Sequence, residues 1–322
     1  MMTVRLSGGD SRIVEIKFQH RIYSVSFDGD GKHVLTGDLG GMVRQWRVDD
    51  GREVGEPIQV EGGEIYAAAL SPDRKWLVCG ARLVPSRGGH GKDLPAVWDA
   101  HTHEKVFDIN DDSSLMVSVD ISSDSTKFAT GSATAGGNAS IWSLTTGKRL
   151  LGPLKHDGWV VGVRFSPNDD RIATAAAESA RGNTANSIRI YNSENGHLLL
   201  DIPFAFQRCS TTLVWSADGR QLFAPSYHRE VKRFDTSSGS LLGKWSVPGD
   251  NNWPAFLILS HNQKFAAVVS LKALSFLGHL YLPANRNYHR AHRRSVVYCA
   301  LPRRRLHCNR GRSGESHLAE SS

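Results

Sequence analysis

Three groups of residues in this 322-residue sequence have side chains suited to chemistry. His289, His292, Cys299, His307 and Cys308 are zinc-ligand types, but they form no paired CxxC frame and sit in a His-rich stretch where such spacings arise by chance. Gly88, Gly89, His90, Gly91 and Lys92, with Arg82 and Arg87, make a flexible cationic run that could cradle phosphate. The run lacks the P-loop spacing and the strand-to-helix setting, so a surface loop or partner contact is the plainer reading. Asp73, Asp124, Asp169 and Asp218 recur at one turn position, which accounts for them structurally; no nucleophile elbow or HExxH accompanies them. The expectation is therefore no catalytic residue, no metal and no cofactor.

The segments carrying these residues repeat. An alternating apolar run, a Ser or Asp, and a Pro/Asp/Gly turn recur with anchors at Asp28, Ser71, Ser122, Ser166, Ser216 and Ser260, in steps of 43, 51, 44, 50 and 44. Each copy continues into a second short apolar run, a loop, and a third run ending in Trp46, Trp98, Trp142, Tyr191 or Phe234. A turn rich in Gly or Asn and a fourth run follow. Four short strands per period predict one antiparallel sheet per unit in an all-β chain. The units fall near 20–60, 61–110, 111–154, 155–203 and 204–248, with a partial sixth over 249–271. An irregular tail over 272–322 follows.

This grammar resembles the WD-repeat (WD40) family, whose unit ends in Trp-Asp and folds as one blade of a β-propeller. Trp98-Asp99 is the literal copy, while Trp46-Arg47, Trp142-Ser143, Tyr191-Asn192 and Phe234-Asp235 are degenerate ones. The resemblance implies a bracing set of His, Ser/Thr, Asp and Trp in each unit. His20, Thr36 and Trp46 match it in the first unit, with Gly40 where the Asp belongs; His156 and Thr174 match in the fourth, with Tyr191 for Trp. No unit holds the whole set, so apolar packing between sheets is expected to dominate stability. The turn at Thr146-Gly147-Lys148 is similar to those of expanded fungal and bacterial members.

The tail breaks this grammar where the sixth unit needs its third strand. Read one nucleotide later, Leu277-Gly278-His279-Leu280-Tyr281 permits Trp-Asp-Thr-Ser-Thr. Residues 296–312 permit Trp-Ser-Ile-Ala-Leu-Ser-Pro-Asp-Gly and then Ile-Ala-Thr-Gly-Gly. A frame change between about residues 269 and 277 is the expectation, with an intended chain of at least seven units. Ile13–Phe18 is placed to supply the outer strand of the last blade.

The net charge of +7 belongs to that tail. Residues 272–322 carry +8, from Lys272 and nine arginines against Glu315 and Glu320, which leaves residues 1–271 at −1. Nucleic-acid binding thereby loses its main support. The 265–282 stretch approaches membrane-span length, but Ser270, Lys272, Ser275 and His279 suit packed strands better. Four widely spaced cysteines and no apolar leader point to a cytosolic or nuclear compartment.

The candidate site is the face bearing the enlarged loops 81–95, 132–138 and 177–186. Tyr23, Tyr66, Met116, Trp159 and Trp253, at the starts of successive first strands, form a ring of large residues there. Binding anchors and packing around a channel mouth explain them equally well. With Arg82, Arg87 and Lys92 they are the candidate partner contacts of a non-catalytic scaffold for another protein or peptide. The alternative is a small-molecule or hydrolytic propeller of lactonase-like or quinone-cofactor type.

Overall fold

A computed structural model describes residues 2–7, 13–18, 20, 22–27, 32–47, 50–60, 63–83, 95–109, 116–133, 137–177, 186–204, 213–226, 230–246, 256–259, 265–269, 273–278 and 297–298. Among them all regular structure is strand. Each repeat folds as a four-stranded antiparallel sheet in sequence order. Blade I comprises Ile22–Phe27, His33–Asp38, Met42–Arg47 and Glu53–Gln59. Blade II comprises Gly63–Leu70, Trp76–Leu83, Ala96–Asp99 and Lys105–Asp108. Blade III comprises Met116–Ile121, Lys127–Ser132, Asn138–Ser143 and Arg149–Lys155, and blade IV Trp159–Phe165, Arg171–Ala177, Ser187–Asn192 and Leu198–Pro203. Blade V comprises Val214–Trp215, Gln221–Pro225, Glu230–Asp235 and Leu241–Ser246.

The middle strands are apolar on both faces because each sheet packs between two others. Leu35 and Val43 of blade I meet Leu77 of blade II, and Val78 of blade II meets Phe128 and Trp142 of blade III. Ile141 of blade III meets Ile172 and Tyr191 of blade IV, and Ile188 and Ile190 of blade IV meet Leu222 and Phe234 of blade V. Each such side chain contributes about 1.5–3 kcal/mol on full burial. First strands from all five blades line one cleft, so the stack curves around an axis as a β-propeller.

One expectation needs correcting, at the C-terminal end. The region beyond residue 271 is not irregular throughout. Ala273–Gly278 pairs with Phe265–Val269, and Val297–Tyr298 with Ala273–Gly278, so Phe256–Leu259 begins a sixth four-stranded sheet. The apolar run Ala273–Gly278 follows only three residues after Val269, which suits a hairpin. Ile13–Phe18, expected as an outer strand, pairs with Met2–Ser7, from Met2↔Phe18 to Ser7↔Ile13. A neighbour one short loop away costs less to close onto than a distant strand.

Within the blades, the aromatic ending the third strand lies opposite the residue six after the anchor, and its polar partner stands two further on. Trp46 Nε1 donates to Thr36 Oγ1 at 2.8 Å and Trp142 Nε1 to Thr130 Oγ1 at 2.9 Å. In blade V the pair is Phe234 and Ala224, with nothing to satisfy. Blade II mismatches: Cys79 holds the threonine position, and the buried Trp98 Nε1 has no hydrogen-bond partner. Burial in apolar surroundings pushes the Cys79 thiol far up, so it stays neutral. Cys79→Thr should therefore raise unfolding stability by about 1 kcal/mol, measured by chemical denaturation. No gain would mean that the threonine hydroxyl does not reach the indole.

Blade IV replaces the tryptophan yet assembles the polar cluster. His156 is buried, with Nε2 3.3 Å from Thr174 Oγ1 and 3.5 Å from the Tyr191 hydroxyl. The two rings meet edge to face at 5.9 Å. In blade I, His20 is exposed and its ring lies over Gly40, where a Cβ would come within 2.7 Å of it. Gly40 thus makes room for the imidazole.

In blades II–V the residue after the aromatic caps a turn with its side chain. Asp99 Oδ1 accepts the His101 and Thr102 N–H groups, both at 2.8 Å. Asp235 Oδ1 accepts those of Ser237 and Ser238, and these bonds and the Ser237 hydroxyl hold its pKa down at about 2. The turn glycines carry positive φ and close approaches: Gly196 sits at φ +73° where a Cβ would lie 3.1 Å from Leu151 of the preceding blade. Asp169 does not share the position of Asp73, Asp124 and Asp218. Asn168 stands there, bonded to Ser166, while Asp169, one residue on at φ +60°, reaches the Ser123 N–H of blade III at 2.8 Å.

Candidate protein-interaction site

The site is built by the first strands. Four of them carry a one-residue bulge, between Ile22 and Ser24, Ile65 and Ala67, Met116 and Ser118, and Val160 and Gly162. The extra residue re-aims a side chain. Those residues are Tyr23, Tyr66, Val117 and Val161, each five before its anchor, and all four line the axial cleft.

Tyr23 and Tyr66 come together there. Their ring centroids are 5.3 Å apart at 46°, Tyr23 remains 36% exposed, and the Tyr66 hydroxyl donates to Glu64 Oε2 at 2.9 Å. The pair presents apolar ring surface and two phenolic groups at a rigid strand start. Because Gly63 pairs with Leu83, Met116 with Ser132 and Trp159 with Ala177, the enlarged loops leave the sheets at this same end.

Met116 and Trp159 do not join the pair. Met116 stands six before its anchor, with Ile22, Ile65 and Val160, and is 4% exposed. It packs under Gly80, where a Cβ would lie 2.6 Å from its Cε. Trp159 stands seven before and packs half-buried against the core between blades IV and V. A one-residue offset on a strand turns the side chain to the other face. Trp253, Arg87 and Lys92 lie outside the described residues. Arg82 is on the second strand of blade II opposite Glu64, and its side chain lies outside them too. Among the described residues no cluster of His, Cys, Asp and Glu could hold a metal, and no helix is long and apolar enough to cross a membrane.

The strand pattern also hides what lines the cleft below the tyrosines. Ser24 Oγ accepts the Ala68 N–H at 2.8 Å, and Ser118 Oγ accepts the Val163 N–H at 3.0 Å, each across a blade junction. Asp120 goes further. Its Oδ2 accepts the Phe165 N–H at 2.7 Å and its Oδ1 accepts from the Arg164 guanidinium at 2.8 Å. Burial pushes the Asp120 carboxyl up, against the lowering pull of Arg164. Counting back from each anchor would have found Val117, Val161 and the Ser positions; nothing in the sequence marks Asp120 from the turn aspartates.

Comparison with known proteins follows this geometry. The family model for the WD domain, G-beta repeat, matches residues 6–47. Human apoptotic protease-activating factor 1 is 29% identical over 230 residues, 67% of this chain and 16% of the human protein. These matches, with the four-stranded blades, support a WD40-type β-propeller fold. The chain spans about a sixth of the length of that relative. As a WD40 propeller it departs from the literal repeat mostly in its bracing groups. The matched segment contains Thr36 and Trp46, one of the two intact Trp–Thr pairs.

Proposed function

We propose that this chain is a non-catalytic protein-interaction scaffold whose channel mouth, at Tyr23 and Tyr66, takes a polypeptide segment. The tyrosine pair carries the reading: two large rings with little rotamer freedom, partly exposed on strands that cannot easily shift, are the residue type and setting of an interface anchor. WD40 domains typically bind other proteins, and the matched human protein is named for activating a protease. The near-neutral charge of residues 1–271 favours a polypeptide over nucleic acid, and a cytosolic or nuclear location fits the sparse cysteines.

Peptides selected from a random library on the full chain should lose about tenfold or more in affinity for Tyr23→Ala and Tyr66→Ala variants. The variants should unfold within about 0.5 kcal/mol of the parent, as exposed positions do. Selected peptides that bind both variants unchanged would place the interaction elsewhere. Selection of no peptide, with saturable uptake of a small-molecule cofactor, would favour the hydrolytic or cofactor-binding alternative.

A further inference from the structure

The half-sheet Met2–Ser7/Ile13–Phe18 has the grammar of the outer half of a blade. Leu6 precedes His20 by fourteen residues, as Trp142 precedes His156, and Ile13 follows Leu6 by seven, as Arg149 follows Trp142. Its hairpin, Leu6↔Val14, lacks only the bulge that the other outer hairpins carry. Third strands in blades I–V pair on both sides, whereas among the described residues Met2–Ser7 pairs on one. An open strand edge offers a row of backbone donors and acceptors.

Pairing registers in the structure identify the missing half. In the sixth sheet Ala266, six after the anchor Ser260, lies opposite Leu277. That is the aromatic position, opposite the residue six after the anchor in blades I–V, and Leu277 is where the next reading frame permits Trp. With Leu301 as the next anchor, the same frame permits residues that fit the repeat positions defined above. They are Val six before, as at Val160, Trp five before, as at Tyr23 and Tyr66, and Ser four before, as at Ser24 and Ser118. Ile falls six after, opposite the aromatic, and Thr eight after, as at Thr36 and Thr130. The frame also permits Gly-His with His ten before, matching His156 against Ser166.

We infer that the open edge of Met2–Ser7 is the docking site for a first-and-second-strand hairpin encoded one nucleotide out of frame across codons 295–312. Four strands then complete a seventh blade. The hairpin's Ser stands where Ser24 and Ser118 accept an N–H from the next blade, so it faces Val25 of blade I across the closing junction.

The test has two readouts on the gene and the full-length protein. The locus should use GTG for Val296, GTC for Val297, TAT for Tyr298, TGC for Cys299, CGA or AGA for Arg303 and CGG for Arg304. Codons giving stops or other residues in that frame would overturn the inference. A synthetic peptide of the shifted-frame sequence, added to the chain as written, should slow amide exchange in Met2–Ser7 at least tenfold, while a scrambled peptide should not. Equal exchange with both peptides would equally overturn it.

Discussion

Asp120→Ala should cost about 2–4 kcal/mol of unfolding stability, the largest loss expected from any single polar side chain at a blade junction. The carboxylate is 9% exposed and serves two groups of the next blade, the Phe165 N–H and the Arg164 guanidinium. Removing it leaves a buried N–H without an acceptor, and that part carries the cost. The guanidinium contributes less, because the Arg164 side chain is 41% exposed and water screens it. Asp120→Asn keeps an acceptor for Phe165 and should fall within about 1 kcal/mol of the parent.

The sign of the pH effect supports that contrast. The folded-state pKa of Asp120 is raised, so the folded protein holds this proton more tightly than the unfolded chain. Its contribution is fully present below the unfolded value of 3.8 and is lost as pH rises through the folded value. At neutral pH the ionised carboxylate thus carries a desolvation cost that the asparagine avoids. Chemical denaturation of both variants checks this. Equal losses for Ala and Asn would show that charge, not the backbone acceptor, holds the junction of blades III and IV.

His156 gives the second large effect, with the opposite sign. Burial, with the Arg189 guanidinium adding, lowers its pKa from 6.5 to about 4, and Nδ1 is buried without a partner that could stabilise a second proton. Neutral imidazole is therefore the folded form. Stability from this group is complete above pH 6.5 and is lost as pH falls through about 4, a total of about 3 kcal/mol, of which about 2 has gone by pH 5. His156→Gln should flatten unfolding stability between pH 7 and 5. An imidazole resonance titrating near 6.5 in the folded protein would contradict the burial argument.

These two residues mark the limits of what the sequence shows. His156 was legible, because the resemblance to the WD-repeat unit implies a His, Ser/Thr and aromatic set, and His156, Thr174 and Tyr191 stand at those positions. The orphaned Trp98 was legible too, since Cys79 stands where Thr36 and Thr130 stand. The blades themselves follow from anchor spacing, as hydrophobic alternation and turn residues together determine strand boundaries. Asp120 was not legible. Its type suggests an exposed turn residue, and only the packing of one first strand against the next gives it two partners. The directions of Met116 and Trp159 were not legible for a different reason. Residues were grouped by size, whereas the bulge at each strand start makes the side chain's direction depend on a count from the anchor. Met116 and Trp159 differ from Tyr66 by one and two places in that count.

Partner contacts proposed at Tyr23 and Tyr66, rather than at the opposite end of the blades, can be mapped on the intact protein. Site-specific photocrosslinking tests this placement most directly, with a benzophenone amino acid placed in turn at Tyr23, Tyr66 and the opposite-end turn residues His101 and Ser238. Extracts of the source cells would supply the partner. The predicted result is a discrete polypeptide adduct, identified by mass spectrometry, that forms from positions 23 and 66, is lost on competition with unlabelled protein, and is absent from positions 101 and 238. Adducts from positions 101 and 238 alone, or equal adducts from all four, would contradict the account.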